Sequence, residues 1–155
     1  MIKKVSANIL VFNSKQELAL QLRAAHDSSY PSHWDFSAAG GIDDGEQPSV
    51  AALRELKEEL GITATIDFVE ERTCTFPAWG TEELKEDHVY LYRTSYDGEF
   101  SPDPNEVQAV RFFRVGDIGQ MMESGEKFHP EFRFFWDMGV IAHVESLFSK
   151  DIRDI

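Results

Sequence analysis

From Val5 to Phe12 the chain is dominated by apolar positions. Asn13-Ser14-Lys15-Gln16 then supplies turn residues, and Leu18, Leu20 and Leu22 alternate with Ala19, Gln21 and Arg23. A strand-like run, a turn and a run of period two predict an antiparallel hairpin. After a polar stretch from Ala24 to Ser32, residues His33 to Ala38 predict a third strand with Trp34, Phe36 and Ala38 on one face, ended by Gly40 and Gly41. The period changes over Pro48 to Leu60. Val50, Leu53, Leu56 and Leu60 form one helical stripe, with proline in the first turn and Gly61 at the stop. Strand-like runs follow at 62–68 and 69–76, readable as one bent element, and at 89–96 and 107–115. The gaps 77–87 and 97–105, carrying Trp79, Pro102 and Pro104, predict surface loops of the kind that carry specificity. A short helix is expected from Asp117 and a longer one after Pro130, with Phe134, Met138, Ile141 and Phe148 on one face. No internal repeat, low-complexity tract or linker interrupts the pattern. The order predicts an α/β chain folded as one compact domain over residues 1–155, a mixed sheet with helices packed on it.

Composition adds a charge argument. Lys and Arg number 15 against 28 Asp and Glu, a net charge of −13 with histidines neutral, so the basic stripe that binds a phosphate polymer is not expected. Hydrophobic residues at 42% are enough to build a core, which excludes wholesale disorder. The single cysteine, Cys74, excludes an intrachain disulfide framework and a four-cysteine zinc site, and its strand-like context reads as a buried small apolar residue. No signal peptide and no 18-residue apolar run is evident, so a cytoplasmic protein without membrane spans is expected. His26, His33, His88, His129 and His143 show no metal-ligand spacing.

One helix breaks a local rule. Glu55, Glu58 and Glu59 crowd the last turns of the Pro48–Leu60 stretch, where the macrodipole already places negative partial charge. At spacings of three and four residues these carboxylates share a patch and repel one another. One reading is a solvated helix face, with an Arg54 to Glu58 surface pair worth roughly a few tenths of a kcal/mol. The other is a site for a hard divalent cation, which takes oxygen ligands and shares its shell with substrate phosphates.

The surrounding letters favour the cation. Gly40, five residues, Glu46, seven residues, Arg54-Glu55-Leu56, one residue, Glu58-Glu59, one residue, Gly61-Ile62 reproduce the pattern GX5EX7REUXEEXGU, with U a bulky aliphatic. Seven fixed letters at roughly 5 to 10% frequency each would coincide about once in 10⁸ start positions. On this segment, 40–62, the chain resembles the Nudix hydrolase superfamily. The resemblance implies an α/β/α sandwich with a central mixed sheet and a loop-helix-loop catalytic motif. It also implies Mg²⁺-dependent hydrolysis of the pyrophosphate linkage of a small nucleoside diphosphate-X or related diphosphate. By that resemblance Mg²⁺, or Mn²⁺, is held by Glu55, Glu58, Glu59 and the carbonyl of Ala39, with Glu46 and Arg54 as outer supports. The general base in the family is either a box glutamate or an acid on a later loop. Glu106 is the first candidate here for that role or for a further ligand, with Glu86 and Asp87 behind it as loop acids. Gln21 and Arg23 are candidates for substrate contacts, Arg23 with phosphate. Trp34, Phe76 and Trp79 could stack on a flat group, although aromatics in such settings are more often core.

The segment His33-Trp34-Asp35-Phe36-Ser37-Ala38-Ala39-Gly40-Gly41 is similar to isopentenyl-diphosphate-isomerase-like Nudix proteins, in which W-D-x-S precedes the box. Isomerases of that branch use a cysteine shortly before the box. This chain has Ser37, Ala38 and Ala39 there and an intact set of box glutamates, which favours hydrolysis. The alternatives are an isopentenyl-diphosphate isomerase and a non-catalytic diphosphate-binding module. A homodimer is the assembly the resemblance makes common.

Overall fold

The computed structural model describes residues 1–153. Among these, the strands are β1 (Ile2–Phe12), β2 (Leu18–Arg23), β3 (Trp34–Asp35), β4 (Ala38–Gly41), β5 (Asp67–Pro77), β6 (Leu84–Ser95) and β7 (Val107–Phe113). The helices are α1 (Pro48–Glu55), which continues as a π-helical turn over Leu56–Leu60, then α2 (Val115–Glu123), α3 (Pro130–Asp137) and α4 (Val140–Arg153). β1 runs parallel to β6 from Ile2↔Lys85 to Phe12↔Ser95, and its other edge pairs antiparallel with β4 from Ser6↔Gly41 to Ile9↔Ala38. β5 continues the sheet beyond β6, while β2 leaves β1 after Phe12↔Leu18 and pairs with β7 and β3. The sheet is therefore mixed, as the sequence predicts.

The alternation of β1 creates the two layers, because successive side chains point to opposite faces. Ala7, Ile9 and Val11 pack with Ala51, Ala52, Leu56 and Leu60 on one side. Leu10 and Phe12 pack with Phe132, Phe135, Ile141 and Val144 on the other. The result is helix, sheet, helix. No helix among the described residues is long and apolar enough to cross a membrane.

Four expectations are corrected. The strand foreseen over His33 to Ala38 is broken, so Trp34 and Phe36 enter the α3/α4 core while Ala38 enters the opposite one. The break is held by Ser37, whose buried hydroxyl accepts from the Val11 N–H at 2.9 Å and donates to the Ala19 carbonyl at 2.5 Å. In α1 only half of the expected apolar stripe is buried: Leu56 and Leu60 face inward with Ala51, Ala52, Glu55 and Glu59, whereas Val50 and Leu53 are 53% and 41% exposed. Two alanines let the helix approach β1 closely, and that rotation carries two glutamates into the interior. The loop foreseen over 77–87 shrinks to a hairpin turn, placing Glu86 and Asp87 on β6. The long helix after Pro130 is two helices broken at Gly139 (φ +79); Ile141 is buried and Phe134 and Phe148 pack on the core as expected, but Met138 is exposed, and Phe132, Phe135, Val140 and Val144 complete the buried face.

Candidate active site

The loop before α1 is organised by an Asp43–Glu46 turn. The Glu46 N–H donates to the Asp43 carbonyl at 2.9 Å, and Glu46 Oε1 accepts from the Asp43 N–H at 3.1 Å. Glu46 then receives both Nε and Nη2 of Arg54 at 2.8 Å, the two-pronged geometry that suits guanidinium and carboxylate. The same guanidinium donates to the Gly41 carbonyl at 3.0 Å, to Glu55 at 2.9 Å and to Glu58 at 3.3 Å. Arg54 is thus the hub joining the entry loop to the acidic helix. The Arg54 side-chain hydrogen bonds, helped by the bond from Asp43, hold the Glu46 carboxyl down at about 2.

Past Glu55 the helix widens. The Gly61 N–H is shared between the carbonyls of Leu56 and Lys57, and Gly61 takes the left-handed conformation at φ 68. The exposed carbonyls of this end are satisfied from outside, by the Ser101 N–H on Leu60 at 2.9 Å and the Asp103 N–H on Glu59 at 3.2 Å. A Cβ on Gly61 would collide with the Ser101 carbonyl, so the close approach of this strap depends on glycine. The strap is the 97–106 loop, and it carries Glu106 to the cluster.

Glu55 and Glu59 are buried, and Glu58 stays exposed. Burial raises Glu55 to about 7; Arg54 opposes this, while Glu58 and Glu106 reinforce it. Burial also raises Glu59 well above the ordinary carboxylate range, with Glu55 and Glu106 adding repulsion and bonds from Ala39 and Gln21 opposing it. Glu106 is raised by partial burial and by Asp103, Glu58 and Asp27. The structure therefore brings Glu46, Arg54, Glu55, Glu58, Glu59 and Glu106 into one electrostatic neighbourhood. Ala39 belongs there too: its N–H donates to Glu59 Oε1 at 2.8 Å, and its neighbour Gly40 lies against the Glu55 carboxylate so closely that a Cβ would overlap it.

The substrate candidates behave differently. Gln21 is buried and donates to Glu59 Oε1 at 3.0 Å. Arg23 lies within electrostatic reach of Glu59 but spends its hydrogen bonds elsewhere: it donates to Asp35 at 3.1 Å and to the Ser29 carbonyl at 3.1 and 2.8 Å, and it pairs with Asp27 at 3.3 Å. It braces the 24–33 loop, where Tyr30 and Ser32 sit at positive φ. Asp35 also accepts the Phe36 N–H, so the acid and serine of the W-D-x-S segment are spent on structure. Glu86 pairs with Lys3 on the surface.

Asp87 is a fully buried strand residue on the far layer, accepting from Ser6 Oγ at 2.8 Å with Lys4 at 3.7 Å. Beside it lies an acid that the sequence pattern did not single out. Glu131 is buried, accepts from Asn8 Nδ2 at 2.6 Å, and is raised well above the usual carboxylate range by burial and by Asp87. Its only sequence signal is an acid three residues before an aromatic of the α3 stripe. Cys74 is buried next to it, with Sγ 3.8 Å from Glu131, and its thiol is raised by burial and by the two acids. Trp34 and Phe76 are core, whereas Trp79 is 44% exposed and rests on Tyr30 and His33.

Among the described residues, no three His, Cys, Asp or Glu side chains already stand in a metal-holding arrangement. The donor chemistry nevertheless suits a hard divalent ion, since the acids of the cluster all offer oxygen, and Glu55 and Glu59 are buried against like charge. Residues 2–133 match the family model for the NUDIX domain. An uncharacterized Nudix hydrolase of Listeria innocua is 33% identical over 125 residues, covering 81% of this chain and 71% of the relative. Isopentenyl-diphosphate Delta-isomerase I of Clarkia breweri is 29% identical over 175 residues, covering 96% of this chain and 60% of the relative. The crystal structure of a MutT protein from Methanosarcina mazei Go1 superimposes with a TM-score of 0.70 at 19% identity, covering 97% and 95% of the two chains. Motif, fold and matched length agree that this chain belongs to the Nudix family, as a hydrolase with a resemblance to its isopentenyl-diphosphate-isomerase branch.

Proposed function

We propose that residues 1–155 act as one Nudix domain that hydrolyses the pyrophosphate linkage of a small nucleoside diphosphate-X or related diphosphate. The observation that carries this reading is the Arg54 hub, which ties Glu46, Glu55 and Glu58 together beside a buried Glu59. Like charges gathered at that density are suited to a cation. Glu55, Glu58, Glu59 and the Ala39 carbonyl would hold Mg²⁺ or Mn²⁺, with Glu46 and Arg54 orienting the carboxylates from behind. Bound there, such an ion would neutralise phosphate oxygens and lower the pKa of a water. Glu106, exposed at the edge of the cluster and with its proton affinity raised, is suited to accept a proton there as general base. The excess of acid supports a small diphosphate over a nucleic-acid polymer, and the lone buried thiol agrees with a cytoplasmic setting. Isomerisation is less well supported, because Ser37 is committed to the strand break and Cys74 lies on the other face of the sheet.

The test is product profiling of the purified protein on a panel of diphosphates with Mg²⁺, with Mn²⁺ and with chelator, beside Glu59→Gln. Chelator-sensitive cleavage that disappears in the variant is expected. Turnover that survives both treatments refutes the proposal.

A further inference from the structure

We infer that Gln21 is a positioning residue for Glu59, fixing which carboxylate oxygen faces the acidic cluster; the role rests on the metal-dependent reading above. Gln21 is 4% exposed and Glu59 8%, so neither side chain is free to turn through solvent. The Gln21 amide donates to Glu59 Oε1 at 3.0 Å and to the Ser37 carbonyl at 3.3 Å. The Ala39 N–H donates to the same Oε1 at 2.8 Å. With two donors on Oε1, the lone pairs of Oε2 are the ones left for a ligand.

The scaffold around Gln21 is stiff. Its backbone lies in β2 between Asp35 of β3 and Val110 of β7, and the Ser37 residue it leans on is itself fixed by the Val11 N–H and the Ala19 carbonyl. A neutral amide is chemically suited to this place. Lysine or arginine there would compete with a cation for Glu59, and a further carboxylate would add to the repulsion. An amide instead orients the acid at no cost in charge. Outer supports of this kind are worth about 10- to 100-fold in metal affinity. The strand pattern placed Gln21 on a polar face but not on a partner, and the partner defines its role.

The experiment measures Mn²⁺ binding by electron paramagnetic resonance on the full chain, without substrate. It compares wild type, Gln21→Met, which keeps the length and removes the donors, and Gln21→Asn, which keeps an amide one methylene short of Glu59. Unfolding midpoints in chelator are recorded alongside. A Kd weakened about 10- to 100-fold in folded Gln21→Met or Gln21→Asn supports the role. A variant that only lowers the unfolding midpoint, with the Mn²⁺ Kd unchanged, overturns it and leaves the hydrolase reading standing. A wild-type chain that binds no Mn²⁺ overturns both together.

Discussion

Replacing Glu55 by glutamine should make the metal-free protein more stable at alkaline pH while abolishing the activity proposed for it. Burial, reinforced by Glu58 and Glu106 and opposed by Arg54, raises Glu55 from 4.5 to about 7. A folded-state value above the unfolded one means that the chain favours the protonated acid. That stability is fully present below about 4.5 and is lost as pH rises through about 7. The interval corresponds to about 3 kcal/mol at about 1.4 kcal/mol per pH unit, and screening by nearby solvent reduces it to about 1–2 kcal/mol. A neutral amide at this position would carry no such penalty. Urea unfolding in chelator should therefore show Glu55→Gln about 1–2 kcal/mol more stable than wild type at pH 8, with the gap closing towards pH 5. Saturating Mn²⁺ should stabilise the wild type and leave the variant unmoved. A variant that is less stable than wild type at pH 8 in chelator would refute the argument, because the Arg54–Glu55 hydrogen bond would then outweigh the buried charge.

Three further expectations concern neighbouring elements. Gly40→Ala should push the Glu55 carboxylate aside and lower Mn²⁺ affinity about 10- to 100-fold with the fold retained, as read by titration and circular dichroism; unchanged affinity would mean that the carboxylate moves freely. Ser37→Ala should cost about 1–3 kcal/mol in urea unfolding, because it leaves the buried Val11 N–H and Ala19 carbonyl without their partner. Glu131→Gln should flatten the loss of stability on raising pH: burial and Asp87 raise the Glu131 carboxyl, so folding favours its proton and weakens as that proton is lost. Parallel pH profiles of wild type and variant would contradict this last assignment.

The candidate site was legible wherever its residues stand close together in the chain. Glu46, Arg54, Glu55, Glu58 and Glu59 could be read directly because one loop and one helix carry them all. Glu106 was legible only as an acid before a strand, and its approach depends on the Ser101 and Asp103 N–H groups capping the helix end. What pattern reading lacked was the identity of each neighbour. Val50 and Leu53 look like core but face solvent, since Ala51 and Ala52 permit the closer packing. Gln21 and Arg23 look alike on a strand, yet one meets Glu59 and the other a loop carbonyl. Asp87 and Glu131, far apart in the numbering, become partners only when β6 and α3 close over β1.

The π turn over Leu56–Leu60 has a consequence for how this chain tolerates insertions and deletions. Such a turn is an α-helix holding one residue more than its rise requires, a rare geometry found mostly as a single widened turn. Deleting Lys57, exposed on the outer surface, would let the segment relax into a regular helix. The shortened helix would also swing Glu59 round the axis, away from Gln21 and the Ala39 N–H. In a library of single-residue deletions this turn should stand out as the place where local helix geometry improves and catalysis is lost.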